Sequence, residues 1–431
     1  MIDFSDRIGA GPRRAAAHLG LFLAFVAGPS SVGRGAEPEG LPRAQPEAVG
    51  MSGERLGRID AVVGRYIDEK KVSGAVALVA RRGRVVHFEA RGVMDVESKA
   101  PMRTDSIFRM ASSTKPVTGV AVLMLIEEGK VALTDPVSRF LPEFKGAKVA
   151  VEEGGEVRLV AAEREVTIRD LLTHTSGLLS GGTGMRMAPQ ELLKPDGARS
   201  TLAEGAGQFA SVPLDFQPGT RWRYSGLAGI DVLARVVEVA SGRPFDEFLR
   251  ARVFEPLGMK DTSFVLPEDR RDRLASVHRK TAGGLEKIPS SIRFPDTYPS
   301  GAGGLVSTAA DFFRFAQMLA NGGELDGKRL LSPRGVELMG SNHVGELFVG
   351  QAGRPAGMGF GLTVEVVVDP VKAGTFRSPG SFGWDGAFGT HFWVDPREKL
   401  VAVLLIQTSG REFHRDFETA VMQAIVEPSG R

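Results

Sequence analysis

Phe108-Arg109-Met110-Ala111-Ser112-Ser113-Thr114-Lys115-Pro116 is the stretch on which the rest of the chain turns. A turn-forming approach, Arg103-Thr104-Asp105-Ser106, leads into it, and the apolar run Val117 to Ile126 follows, closed by Glu127-Glu128-Gly129. That order predicts a loop entering a buried helix, with Gly129 as its stop. Ser112 and Lys115 are three residues apart, so at helical pitch they share a face about one turn apart. A hydroxyl with an amine beside it, at the opening of an apolar helix, is a candidate nucleophile with its own base. No other lysine in the chain has a serine three residues before it. The competing reading is a Ser/Thr-rich helix start that carries an exposed lysine.

Working outward, Ser52 to Lys70 reads as an amphipathic helix, with Leu56, Ile59, Val62, Val63 and Tyr66 at helical spacing and Ser52 as its cap. Gly74–Ala80 and Val85–Ala90 are apolar runs separated by Arg81-Arg82-Gly83-Arg84, a β-hairpin pattern. From Leu133 to Pro295 the character changes. Ile168 to Leu178 reads as a short helix closed by a Ser-Gly turn, and Ser225–Ser241 and Pro244–Val253 read as helices. Gly181 to Ala206, rich in Gly and Pro, is expected to be a mobile surface excursion. Few runs here look like strands. After Pro295, a helix opens at Ser307–Asp311 and ends at Asn321-Gly322-Gly323. Phe360–Val368, Phe388–Val394 and Leu400–Ile406 are strand-like, and Phe413–Val426 is a closing helix. Strands at both ends with helices between predict an α+β fold. Residues 47–132 and 296–431 would form a helix-flanked antiparallel sheet lobe, with a mainly helical lobe, 133–295, inserted in it and residues 1–46 as an N-terminal extension. There is no internal repeat or heptad array.

At 431 residues with 42% hydrophobic content, the chain can bury a large core. Lys+Arg 54 against Asp+Glu 52, with no long basic run, argues against nucleic acid and anionic membrane surfaces as partners. The absence of cysteine excludes disulfides, thiolate metal ligands and a cysteine nucleophile. Near the start, Arg13-Arg14 precede the apolar run Leu19–Ala27 and then Gly28-Pro29-Ser30-Ser31, the shape of an export signal. The run is too short to span a bilayer. A periplasmic or secreted location is expected, with a plain N-terminal extension and a cytoplasmic location as the alternative. The sequence sets no oligomeric state.

Two further stretches strengthen the serine. They are Gln217-Pro218-Gly219-Thr220-Arg221-Trp222-Arg223-Tyr224-Ser225-Gly226 and Gly380-Ser381-Phe382-Gly383-Trp384-Asp385-Gly386-Ala387-Phe388-Gly389. With Phe108–Pro116 and Leu171–Leu178, they make the chain resemble the serine β-lactamase/penicillin-binding family from Ser52 to Val426. It looks closest to the class C-like branch that includes the family VIII carboxylesterases. The resemblance implies the β-lactamase/transpeptidase-like fold with an active site between its lobes. It casts Ser112 as the acylated nucleophile, Lys115 as its partner base and Tyr224 as the tyrosine of a Tyr-x-Asn motif. Gly226 stands where that motif has asparagine, which removes a side-chain amide. The third motif, usually Lys-Thr-Gly, is Trp384-Asp385-Gly386 here. Tryptophan brings no cation for a substrate carboxylate and offers an apolar wall instead. Asp385, if it faced the cleft, would repel a carboxylate. Trp-x-Gly in this place is a feature of the esterase branch, so neutral esters become the expected substrates.

Neither a free lysine, near about 10.4, nor a tyrosine, near about 10, is a base at neutral pH. Burial and a helix N-terminus both disfavour an ammonium, while a nearby ammonium draws a phenol towards phenolate. The pair is expected to titrate together, to take the proton of Ser112 and to return it to the leaving alcohol. Backbone N–H groups of Ser112 and Ala387 are expected to cradle the oxyanion. His174, in Leu-Leu-Thr-His-Thr-Ser-Gly, reads as structural, bonding across a turn, and His391 as a strand residue near the rim. No Gly-x-Ser-x-Gly, His-Glu-x-x-His or phosphate-cradling glycine loop is present, so no metal or cofactor is implied. The expectation is a serine carboxylesterase acting on small short-chain esters, with side activity on β-lactams. The alternatives are a β-lactamase or D-amino-acid peptidase and, in another class, a catalytically dead penicillin-recognition relative serving as a scaffold.

Overall fold

Ser52 accepts a hydrogen bond from the Arg55 amide and starts helix α1, Gly53–Asp68. The structure, a computed structural model, describes residues 41–194, 199–290 and 294–429. The segment read as an export signal lies outside them. After α1, strands β1 (Gly74–Arg81) and β2 (Arg84–Gly92) pair antiparallel. Their turn holds Arg82 at φ 52° and Gly83 at φ 73°, a twist that suits a tight hairpin. A single 3₁₀ turn, Ala111–Thr114, then leads into α2, Lys115–Glu127. The chain turns at Gly129, φ 69°.

Further along come a hairpin of β3 (Lys148–Glu153) and β4 (Glu156–Ala161), helix α3 (Leu202–Ala210) and helix α4 (Ala228–Ser241). A second hairpin, β5 (His278–Thr281) with β6 (Gly284–Lys287), precedes α5 (Ala309–Ala320). The chain closes with β7 (Met358–Phe360), β8 (Glu365–Val367), β9 (Phe382–Asp385), β10 (His391–Asp395), β11 (Leu400–Leu405) and α6 (Arg411–Met422).

The main sheet has seven strands in the order β7-β8-β9-β10-β11-β1-β2, with neighbours antiparallel. Its middle joins the two ends of the sequence, Val76 facing Leu405 and Arg81 facing Leu400. Strand β1 is buried throughout because both of its faces are covered. Val76, Leu78 and Ala80 belong to the core that holds Phe312 and Phe315 of α5. Ala75, Ala77 and Val79 face the second core, with Leu56, Ile59 and Val63 of α1 and Phe413, Phe417 and Val421 of α6. Small side chains on that face let the two terminal helices lie close, and Tyr66 stacks on Phe413 at 4.5 Å between ring centroids. Helix α2 is buried from Lys115 to Leu125. With apolar neighbours all round it can hold its first residue, Lys115, and the 3₁₀ turn before it, which carries Ser112. The mixed helices and antiparallel sheet make the fold α+β, as the sequence pattern predicts.

Three expectations are corrected. Phe360–Val368 is not one strand but a hairpin, β7 and β8. Thr363 sits at φ 66° and the Gly361 amide donates to the Val364 carbonyl at 2.8 Å, which reverses the chain. The section between Leu133 and Pro295 is less purely helical than its apolar runs suggest, because β3–β4 and β5–β6 turn on Gly154-Gly155 and near Gly284. The Gly/Pro-rich stretch 181–206 is no surface excursion throughout. Leu192 and Leu202 are buried within it, and Thr201 caps α3 by accepting from the Glu204 amide. Apolar residues spaced between helix breakers gave little periodicity to read. Among the described residues no helix is long and apolar enough to cross a membrane.

Candidate active site

The turn that carries Ser112 is held from several sides. Ala111, just before Ser112, has φ 46°, a left-handed conformation that costs a residue with a Cβ about 1–2 kcal/mol. Neighbouring bonds supply the constraint. The Thr390 hydroxyl donates to the Met110 carbonyl at 2.9 Å and meets the Ser113 hydroxyl at 2.9 Å. Ser113 also donates its amide to Met110 at 3.1 Å. Ser112 thus stands half-buried at the mouth of α2 with its hydroxyl directed by the fold.

Lys115 Nζ lies 3.2 Å from Ser112 Oγ and donates to the Gly226 and Ala302 carbonyls, each at 2.7 Å. Three acceptors match the three N–H bonds of an ammonium. Gly226 lacks the amide side chain that a Tyr-x-Asn motif would carry, yet its main-chain carbonyl holds the lysine. Tyr224 Oη donates to Ser112 Oγ at 2.8 Å, and Lys115 Nζ sits 5.2 Å from the Tyr224 ring centroid. Hydroxyl, amine and phenol, up to 112 residues apart in sequence, are within contact.

Tyr224 belongs to no helix or strand, and His174 holds it. The His174 carbonyl accepts from the Arg223 amide at 3.0 Å, and its Nδ1 accepts from the Ser225 amide at 3.3 Å. The ring lies 4.7 Å from that of Tyr224. Burial, reinforced by Lys115, holds this imidazole well below its ordinary value, so it is neutral and Nδ1 is free to accept. The histidine read from sequence as structural is the clamp on the tyrosine.

The third motif forms the end of β9 and the turn after it. Trp384 is buried, with its ring 5.7 Å from Tyr224 and 5.3 Å from Phe360, so it does form an apolar wall. Gly386 donates its amide to the Thr390 carbonyl at 2.7 Å. A methyl group on Gly386 would overlap the Met110 carbonyl oxygen and the Thr390 hydroxyl, so only glycine lets this strand end approach the turn that carries Ser112. Asp385 carries no free charge into the cleft. Arg354 bonds it at 2.8 Å while also meeting Glu365 at 2.8 Å and stacking 5.6 Å from the Trp384 ring. Although burial opposes the charge, this guanidinium holds the Asp385 carboxyl below the usual range. Arg354 was absent from the sequence reading, and its Gly-Arg-Pro context carries no signal. Replacing it with alanine leaves the half-buried Asp385 without its cation and the buried Glu365 with Arg377 alone, at 3.4 Å. Arg354→Ala is expected to lose about 3–5 kcal/mol of stability in urea denaturation, and a loss below about 1 kcal/mol would show the pair to be hydrated. His391 is a buried strand residue, as read, with Nε2 3.1 Å from Glu418 and its ring stacked 4.4 Å from His414.

Two cavities open on Ser112. One, of about 260 Å³, is bordered by Tyr224, Trp384, Asp385, Ala387, Arg411 and His414. The other, of about 210 Å³, is apolar and bordered by Leu179, Met185, Leu192, Phe209 and Phe294. The segment expected at the surface supplies part of the wall of the second, through Met185, Leu192 and Leu193.

A protein-family model described as Beta-lactamase matches residues 59–427. The chain is 36% identical to Esterase EstB of Burkholderia gladioli over 376 residues, 82% of this chain and 90% of that one. It is 30% identical to the lovastatin esterase of Penicillium rubens, covering 67% of this chain and 73% of the other. Among solved structures, EstCE1, described as a hydrolase with promiscuous acyltransferase activity, superposes with a TM-score of 0.73 at 30% identity, over 86% of this chain and 99% of that one.

Proposed function

The chain belongs to the β-lactamase family, and from that premise we propose that it is a serine carboxylesterase hydrolysing small carboxylic esters through an acyl-Ser112 intermediate. One observation carries the reading: Ser112 Oγ lies 3.2 Å from an amine and 2.8 Å from a phenol, beside an apolar chamber. The similarity to Esterase EstB supports the same activity.

In the proposed cycle the Lys115–Tyr224 pair takes the Ser112 proton as Oγ attacks the ester carbonyl carbon. With Lys115 ringed by carbonyls, the phenol oxygen is the more mobile partner. Main-chain N–H groups of Ser112 and Ala387 hold the oxyanion, a role worth about 3–4 kcal/mol per donor. As the intermediate collapses, the bond to the alcohol oxygen breaks and Tyr224 returns the proton to that oxygen. Water, deprotonated by the same pair, then attacks the acyl carbon, and the carboxylic acid leaves as Ser112 regains its proton.

Tyr224 borders the larger chamber and not the apolar one. The leaving alcohol therefore occupies the larger, polar-rimmed chamber, and the acyl chain the apolar one. A dry apolar cavity of about 150 Å³ can hold a benzene ring, so 210 Å³ suits acyl chains of about six carbons. Filling it should shorten that limit. Phe209→Trp is expected to cut kcat/KM for a hexanoate about tenfold while leaving an acetate within about twofold; equal losses on both would refute the assignment. β-Lactam hydrolysis remains a side activity in this reading, since the third motif offers no lysine and Arg354 is already engaged by Asp385 and Glu365. A panel of p-nitrophenyl esters run against a chromogenic cephalosporin tests the whole proposal, and faster turnover of the cephalosporin would reverse it. The segment around Arg13 to Ser31 is the ground for proposing a periplasmic or secreted site of action, which cell fractionation checks.

A further inference from the structure

Behind the lysine, on the far side of the loop that seats it, α4 buries a carboxylate. Asp231 is 1% exposed. It accepts from Tyr298 Oη, Ser300 Oγ and the Ala302 amide, each at 2.9 Å. Ala302 is thereby held at both main-chain ends, since its carbonyl accepts from Lys115 Nζ at 2.7 Å. The same loop is fixed to α2 by Thr118 Oγ1, which donates to the Gly301 carbonyl at 2.8 Å. We infer that Asp231 is a positioning residue for the base: it fixes the 298–302 loop that seats Lys115, and its negative charge steadies the ammonium. This rests on Lys115 and Ser112 acting as proposed above.

A buried carboxylate with three donors needs a reason, because an apolar residue of that size would pack at less cost. Holding the loop alone would not require a charge. The groups around it explain why one is retained. Tyr298 stays a phenol, pushed up by burial and by Asp231 itself, so it donates. Arg199 lies 5.6 Å from the Tyr298 ring centroid and donates to the Leu192 and Lys194 carbonyls at 2.8 and 2.6 Å, which ties the acyl-chamber wall to the same loop. Lys115 faces it across Ala302, with Tyr224 and neutral His174 beyond. Burial pushes the Asp231 carboxyl up to about 6, so it is charged at neutral pH at some expense to stability. That expense is present above about 6 and is relieved as pH falls through this value towards the ordinary 3.8.

Asp231→Asn keeps the shape and removes the charge. It is expected to lower kcat about 10–100-fold with KM within about threefold, since displacing a catalytic group by 1 Å can cost that much. The acidic limb of the pH–rate profile should move to lower pH, because a negative charge no longer stands behind the site. The melting temperature at pH 8 should hold or rise. Tyr298→Phe and Ser300→Ala, which keep the charge, should lower kcat less and leave the limb in place. Folded Asp231→Asn with wild-type kcat and an unmoved limb overturns the inference. If that variant fails to fold, wild-type kcat in both loop variants overturns it, and a drop in both supports it. Fluorophosphonate labelling separates the two proposals: an unlabelled Ser112 in the wild type removes the esterase reading, whereas normal labelling with an indifferent Asp231→Asn removes only this one.

Discussion

Ser112→Ala is expected to remove ester turnover almost entirely, with kcat/KM falling about 10³–10⁶-fold. Both Lys115 and Tyr224 contact this hydroxyl, at 3.2 and 2.8 Å. Alanine leaves two proton-transfer groups with nothing to activate, so the residual rate would come from oxyanion donors and binding alone. The fold should hardly notice. Ser112 is half-buried and its side chain packs nothing that methyl cannot replace, so stability should change by less than about 0.5–1 kcal/mol. Ester turnover and fluorophosphonate labelling on the purified variant decide the matter. Wild-type turnover in a folded Ser112→Ala protein would move the chemistry elsewhere, and an inactive, unlabelled wild type would favour the scaffold alternative.

Lys115→Met should cost about 10³-fold or more in kcat, for a different reason. Methionine fills most of the lysine's volume and supplies no N–H. Tyr224 then loses the cation 5.2 Å from its ring, and Ser112 loses one of its two partners. Stability is a contest between opposed terms. The Gly226 and Ala302 carbonyls, each held at 2.7 Å in the wild type, lose their donor, at about 1–3 kcal/mol apiece. Against that, a fully buried ammonium no longer has to be stripped of water, an effect of several kcal/mol per ion. The net change in urea denaturation should therefore stay within about 2 kcal/mol of zero. Near-wild-type kcat in this variant would mean that Tyr224 acts without the lysine and that the pair is not a unit. A large loss of stability would mean that the ammonium serves structure first.

The departures from the family motifs look different once the site is assembled. Gly226 in place of asparagine suggests a missing contact in sequence, yet the lysine takes the carbonyl of the same residue. Asp385 suggests a repelling charge, and Arg354 cancels it. In both cases the sequence names the side chain correctly while main-chain groups and a distant cation decide its effect. The hairpin between Phe360 and Val368 escapes the sequence pattern for a related reason: a β-branched apolar run looks continuous, and only in the fold does Thr363 take a left-handed φ.

By itself the sequence determined what chain geometry ties to short spacing. A serine and a lysine three apart must meet at the start of a helix, a cap at Ser52 must open α1, and Arg82-Gly83 must turn a hairpin. It also determined the α+β class, because apolar runs at both ends and helical periodicity between them leave few ways to bury a core. Tertiary structure alone brought Tyr224 to Ser112, paired Arg354 with Asp385, laid Met185 and Leu192 of the Gly/Pro-rich stretch against the apolar cavity beside Ser112 and set Asp231 behind Lys115. These depend on where desolvated charges and irregular backbone find partners, and hydrophobic periodicity carries no record of that.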